Sequence, residues 1–388
     1  MTGDSTRSVH ETEEPDKETG SIIPPIYEST TFKFNDASLI PPAMAGEHGY
    51  VYSRRENPTV VKLEEKIASL EHGEAAAAFG SGMAAISTSV LAFLKKGDHV
   101  VGIRDLYGGT YNLLHEQLPN LGLETTLVET TDLAALEKAT KKNTRIVYIE
   151  SPTNPTIKLV DIAKAASIAH TAGALLLIDS TFASPINQNP LTVGADLVLH
   201  SATKFINGHD DLVAGLAIGS KGHIRKIKIL RRDLGGVLDP IPAWLVLRGI
   251  KTMALRIRAQ NANALALAKY LSGHNKVAKV NYPGLETHPQ HALARKQMRG
   301  YGGMLSFEIK GDKREAIKLT ESLKVASLAA SLGGVETLVS QPHNMTHTQM
   351  SPEARARAGM PDTLIRVSVG IEDIEDLIAD FTQALARI

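Results

Sequence analysis

The chain has 388 residues, 42 lysines and arginines against 42 aspartates and glutamates, and no cysteine. That length suits two or three structural units and lets ~75% of the unfolded surface be buried, so no staple is needed. A formal net charge of zero gives no basic footprint for nucleic acid, and zero cysteines exclude both a disulfide framework and a thiolate metal site.

The first twenty residues, "MTGDSTRSVHETEEPDKETG", are polar and carry no apolar core, so they read as an arm and not as a signal peptide. Apolar runs such as "GALLLI" are too short to span a bilayer. A soluble protein without membrane partners, in the cytoplasm, is expected. "SIIPPIYESTTFKF" reads as extended chain. "PTVVKLEEKIASLEHG", 58–73, has helical apolar spacing and a glycine stop. "EAAAAFGSGMAAISTSVLAFL" reads as strand, glycine turn and helix.

Strands and helices then alternate. "DHVVGI", "TRIVYIE" and "ALLLID" are strands, bounded by Asp, Gly and Pro; "LAALEKAT" and "IAKAASIAHTAG" are helices between them. This order predicts an α/β fold with a mainly parallel sheet. After "LGGVLDP" the character changes. "AWLVLRGIKTMALRIRAQNANALALAKYL" predicts one bent helix or two, and strands "GGMLSFEIKG" and "TLIRVSVGIED" precede a final helix in a smaller α+β domain. The expected units are an arm at 1–57, a large domain at 58–250 and a C-terminal domain at 251–388, with the boundary between 245 and 265.

Lys204 stands in "DLVLHSATKFINGH", where an ammonium is costly to keep. Desolvation lowers a lysine pKa and suits it to a Schiff base; a surface lysine is the plain alternative. Asp179 ends the run "LLLIDSTF", at the strand end where open α/β sheets bind ligands. A carboxylate there can hold a ring nitrogen protonated, which pyridoxal phosphate (PLP) requires; alone, it reads better as a turn residue. "FGSGMAAI" opens a helix with Gly80 and Gly82, a phosphate-binding pattern that is neither a Walker loop nor GxGxxG. Ser201 and Thr203 add hydroxyls. The pairs His343/His347 and His288/His291 lack thiolates or a third evident ligand and read as polar loop residues. The basic run Arg225 to Arg232 reads as a solvated helix face.

Together "YSRRENPT", "DLYGGTY", "ESPTNP", "DSTFASP", "HSATKFINGH", "SLGGVETL" and "MSPEARARAGM", in this order, resemble the Cys/Met-metabolism (trans-sulfuration) family of PLP-dependent enzymes over almost the whole chain. The resemblance implies PLP fold type I, the aspartate aminotransferase-like architecture. It implies that Lys204 binds PLP and shuttles protons, that Asp179 partners the pyridine nitrogen, and that Tyr107 stacks on the ring. Gly82, Met83, Ser201 and Thr203 would hold the phosphate. Tyr52 and Arg54 would reach the phosphate of a neighbouring subunit's cofactor, in a homotetramer built from active dimers. Asn154 would lie near the ring oxygen, and Arg366 would clamp the substrate α-carboxylate with Ser331 beside it.

Departures from the family pattern are Ala330 where a glutamate is frequent, Asn112 where an arginine is frequent, Gly109 where methionine γ-lyases carry cysteine, and Asp210 after "NGH". The segments around "MTHTQMSPEARARAGM" and "GADLVLHSATKF" resemble cystathionine γ-synthases most, so γ-replacement of a homoserine ester by cysteine is the first expectation. A γ-elimination lyase acting on cystathionine or methionine is the second. A PLP aminotransferase, and a PLP-binding protein without turnover, are the remaining alternatives.

Overall fold

Short apolar runs closed by Asp, Gly or Pro fold as strands in the computed structural model, which describes residues 3–45, 49–345 and 359–388. Seven of them form the first sheet: β1 (Ala75–Phe79), β2 (His99–Ile103), β3 (Glu124–Val128), β4 (Thr144–Glu150), β5 (Leu175–Asp179), β6 (Leu197–Ser201) and β7 (Gly215–Gly219). Their spatial order is β1-β7-β6-β5-β4-β2-β3. The neighbours from β6 through to β3 are parallel, while β7 runs antiparallel to both β6 and β1. β2, β4 and β5 stand where the sequence places them. β3, "ETTLV", and β7, "GLAIG", carry weaker signals, one polar and one flanked by glycines.

Helices cover this sheet. Pro58–Leu70 starts with proline in its first turn, and Asn57 caps it by accepting the Thr59 N–H at 2.9 Å. Its Val60, Leu63 and Ile67 bury against Ala76 and Ala78 of β1. Each fully buried leucine or isoleucine contributes ~1.5–3 kcal/mol.

The second sheet has the order β10-β11-β12-β9-β8, with β8 (Val277–Asn281), β9 (Met304–Ile309), β10 (Ser327–Leu328), β11 (Leu338–Ser340) and β12 (Leu364–Ser368). Between the sheets the long helical stretch resolves into two helices, Pro240–Ile250 and Met253–Gly273. The latter belongs to both cores. Met253, Ala254 and Ile257 pack with the first, and Ala264, Leu267 and Leu271 with the second.

Three sequence expectations change. The polar start is anchored: Asp4–His10 is a helix, Arg7 pairs with Glu11 at 2.6 Å, and the buried Lys66 Nζ meets Glu13 at 3.1 Å and donates to the Glu11 carbonyl at 2.7 Å. The basic run is only half solvated. Arg225 and Lys226 are exposed, but Arg231 is buried, donating to Glu64 at 2.7 Å and to the Ala78 carbonyl at 2.6 Å, and Lys228 pairs with Glu64 at 2.6 Å. His288 is a buried histidine, held neutral by burial with its pKa lowered to about 4; His343 is also buried, and His347 lies outside the described residues. No helix among the described residues is long and apolar enough to cross a membrane.

Candidate active site

Parallel strands deliver their carboxyl ends side by side, and the first sheet places acids there. Asp179 ends β5, directly opposite Glu150 at the end of β4. Burial pushes the Asp179 carboxyl above its ordinary value, against hydrogen bonds from the Thr181 hydroxyl and N–H, the latter at 2.9 Å. A cationic ring nitrogen beside it would restore its charge, which is what a pyridinium offers. Glu150 is buried too. Burial, and then the neighbouring Asp179, drive its carboxyl well above the usual range, while it accepts the Tyr107 N–H at 2.7 Å. Sequence reasoning gave Glu150 no role, though "TRIVYIE" ends in an acid just as "LLLID" does.

Lys204 follows β6 in a tight turn, its N–H donating to the Ser201 carbonyl at 3.2 Å. The turn is held from two sides. Buried Arg256 donates to the carbonyls of Phe205 at 2.9 Å, Ile206 at 3.2 Å and Gly249 at 2.9 Å. From the loop between β10 and β11, Gly333 lies so close that a Cβ there would come 2.5 Å from the Phe205 nitrogen; its φ of 82° is also one that glycine adopts readily. Desolvation lowers the Lys204 pKa, and the Arg366 charge adds to it, with Asp210 acting in the opposite direction. Lys204 Nζ donates to Ser331 Oγ at 2.8 Å.

The helix Gly82–Leu91 points its N-terminus at the same region. Its first N–H groups have no intrahelical partner, and Ser81 caps it by accepting from Ala84 at 3.0 Å. A Cβ on Gly82 would come 2.9 Å from Ser201 Cβ and 3.0 Å from its Oγ. This notch of free N–H groups and a hydroxyl fits a phosphate. The Thr203 hydroxyl is already engaged, donating to the Ala214 carbonyl at 3.2 Å and accepting its N–H at 3.0 Å. Met83 and the Tyr107 ring flank Gly109, whose Cβ would come 2.8 Å from both Met83 Sδ and Tyr107 Cε1. The Tyr107 side chain is exposed.

The second sheet brings the cation. Arg366, in the middle of β12, is buried, which lowers its pKa to about 10. It donates to Asn154 Oδ1 at 3.1 Å and to the Ser331 carbonyl at 3.0 Å. Ser331 thus touches both Lys204 and Arg366. A lysine amine and a guanidinium meeting at one residue can grip an amino acid carboxylate and act on its Cα proton.

Tyr52 and Arg54 stand apart from this cluster. Both are exposed; the guanidinium lies 5.8 Å from the Tyr52 ring centroid and donates to the Arg232 carbonyl at 3.2 Å. Residues 350–358 of "MSPEARARAGM" lie outside the described residues. The acid at the strand end, the desolvated lysine and the phosphate-sized notch are the features PLP needs, so the residues present fit that cofactor.

Residues 5–386 match the family described as Cys/Met metabolism PLP-dependent enzyme. An L-methionine gamma-lyase from Fusobacterium nucleatum subsp. polymorphum is 46% identical over 373 residues, covering 95% of this chain and 94% of the relative. A cystathionine gamma-lyase from Bacillus subtilis is 46% identical over 375 residues, 96% of each chain. The crystal structure of metB from Corynebacterium glutamicum superposes with a TM-score of 0.93 at 42% identity, covering 100% of this chain and 98% of that one.

Proposed function

Since the chain belongs to the Cys/Met metabolism PLP-dependent enzyme family and has PLP fold type I, we propose that it is a carbon–sulfur lyase of γ-elimination type. It would cleave cystathionine or methionine into a thiol, ammonia and a 2-oxo acid. PLP, when bound, supplies the electron sink that makes the substrate Cα proton acidic.

The observation that carries action on an amino acid Cα, the step common to elimination and replacement, is the convergence on Ser331 of Lys204 Nζ at 2.8 Å and Arg366 at 3.0 Å. Arg366, propped by Asn154, would hold the substrate carboxylate in a bidentate grip. That fixes Cα within reach of Lys204, whose lowered pKa frees its amine to take the proton. Asp179 would keep the ring nitrogen protonated, and Tyr107, beside Met83, would cover the ring. Gly82 and Met83 N–H groups and Ser201 would hold the phosphate; Thr203 braces the Lys204 turn through Ala214. Tyr52 and Arg54, exposed in one chain, would complete the phosphate site of a second copy, and two such dimers would form the homotetramer.

The sequence favours γ-synthase through "GADLVLHSATKF", and that remains the second reading. The lyase comes first because the similar curated relatives are named lyases. Exposed Ala330 and Asn112 also leave the places of two frequent charges neutral. Elimination and replacement share every residue up to thiol loss, so products decide. The purified holoenzyme is incubated with cystathionine and methionine alone, and with succinyl-, acetyl- and phosphohomoserine with and without cysteine. The expected result is 2-oxobutyrate from a sulfur amino acid without added thiol. Cystathionine accumulating only from an ester plus cysteine would overturn the lyase reading in favour of the synthase, and pyruvate from cystathionine would indicate β-cleavage.

A further inference from the structure

Asp210 stands six residues after Lys204, and no role above uses it. Lys204 Nζ donates to Ser331 Oγ at 2.8 Å, and Ser331 Oγ donates to Asp210 Oδ1 at 3.2 Å. Both outer partners are built into place. Ser331 and Asp210 hold left-handed backbone, φ 93° and 51°, a region aspartate tolerates better than most residues. The other carboxylate oxygen lies over Gly334, where a Cβ would come 1.9 Å from Asp210 Oδ2. Any side chain at 334 would displace the carboxylate.

A serine hydroxyl has one hydrogen and rotates to suit its neighbours. Beside a neutral lysine amine it can turn that hydrogen onto the amine lone pair, the pair a base needs. An ionised carboxylate only accepts. Asp210 therefore takes the Ser331 hydrogen and leaves the hydroxyl with only acceptor capacity toward Lys204. The charge also reaches Lys204: Arg366 and Asp210 are the charges that face the lysine, and Lys204, Glu336 and Asp211 those that face Asp210. Asp211 is itself engaged, accepting from Asn207 Nδ2 at 2.7 Å.

We propose that Asp210 is a positioning residue that acts through Ser331, fixing its hydroxyl as an acceptor for Lys204 so that the lysine lone pair stays directed at the substrate. This rests on Lys204 being the lysine that carries PLP, and is independent of which sulfur amino acid is cleaved.

The test is a pH titration of the visible absorption band of the bound cofactor, whose midpoint reports the proton on the Lys204 nitrogen. It is run on the parent holoenzyme, Asp210→Asn, Ser331→Ala, the double variant and Lys204→Ala, with kcat/KM measured beside it. Asparagine keeps an acceptor and tolerates the left-handed backbone but removes the charge. The midpoint is expected to move to lower pH in Asp210→Asn, because the charge favouring the protonated nitrogen is gone. kcat/KM is expected to fall by about tenfold, the loss of one charge-assisted hydrogen bond. Adding Asp210→Asn to Ser331→Ala is expected to produce a clearly smaller shift, only the part the charge exerts on Lys204 through space. An unmoved midpoint in Asp210→Asn, or an equal shift in the Ser331→Ala background, would overturn the proposal. Retention of the band in Lys204→Ala would instead place the error in the lysine assignment.

Discussion

The two sheets build opposite halves of the site. The first contributes acids and hydroxyls from the ends of parallel strands: Glu150, Asp179, Ser201 and then Lys204 in the turn after β6. The second is mostly antiparallel and contributes a buried guanidinium from the middle of β12. Strand ends are open, so groups there can meet a cofactor. A mid-strand arginine has its backbone fixed by ladder bonds on both sides. On the proposed reading, cofactor chemistry and substrate holding would fall to the two sheets, which meet where Ser331 touches Lys204 and where Arg366 reaches Asn154.

Mutations on the two sides should therefore fail differently. Asp179→Ala removes the charge behind the ring nitrogen and is expected to lower kcat on the order of 10²- to 10³-fold, the range for losing one preorganised electrostatic partner. Steady-state kinetics would show KM little changed. Arg366→Lys keeps a cation but loses the fork that reaches both substrate oxygens. It is expected to lower kcat/KM by roughly 10²-fold, carried mainly by KM. If both variants showed the same split between kcat and KM, the two-sided description would be wrong.

A third change should spare catalysis altogether. Glu64 is buried between Lys228 and Arg231; burial pushes its carboxyl up, but the two cations outweigh that and hold it below the ordinary 4.5. Its folded value lies below its unfolded one, so its contribution is present above about pH 4.5 and is lost as pH falls through the folded value. Glu64→Gln leaves buried Arg231 without its carboxylate while Lys228 keeps Glu56 at 3.3 Å, and is expected to cost about 3–5 kcal/mol of stability, with kcat and KM of the folded enzyme unchanged. Denaturant unfolding at pH 7 and at pH 4 would show the difference shrinking in acid; an equal difference at both would contradict the pairing.

How much of this was legible in the sequence follows the same division. Lys204 and Asp179 were visible because a charge closing an apolar run is a local anomaly, and β2, β4 and β5 because their runs are uninterrupted. Glu150 carries the same signal at the end of β4. What local pattern cannot carry is partnership across the chain. Arg231 meets Glu64 from 167 residues away, and Ser331 meets Asp210 from 121. The basic run therefore read as solvated, and Asp210 as a residue without a role. Thr203 shows a smaller version: its local sequence offers a hydroxyl to a phosphate, while the fold has that hydroxyl donating to the Ala214 carbonyl and accepting its N–H just before β7. The preference for γ-synthase came from segment likeness alone, one such segment lying mostly outside the described residues, and the curated relatives favour the lyase.

The account stands on Lys204 as the base that acts on a carboxylate-anchored substrate. The direct measurement is α-proton exchange of L-norleucine, which has no sulfur to lose, followed by NMR in deuterated water with PLP present. The parent enzyme is expected to exchange the Cα proton and Lys204→Ala to leave it in place at equal cofactor loading. Undiminished exchange in Lys204→Ala would contradict the account.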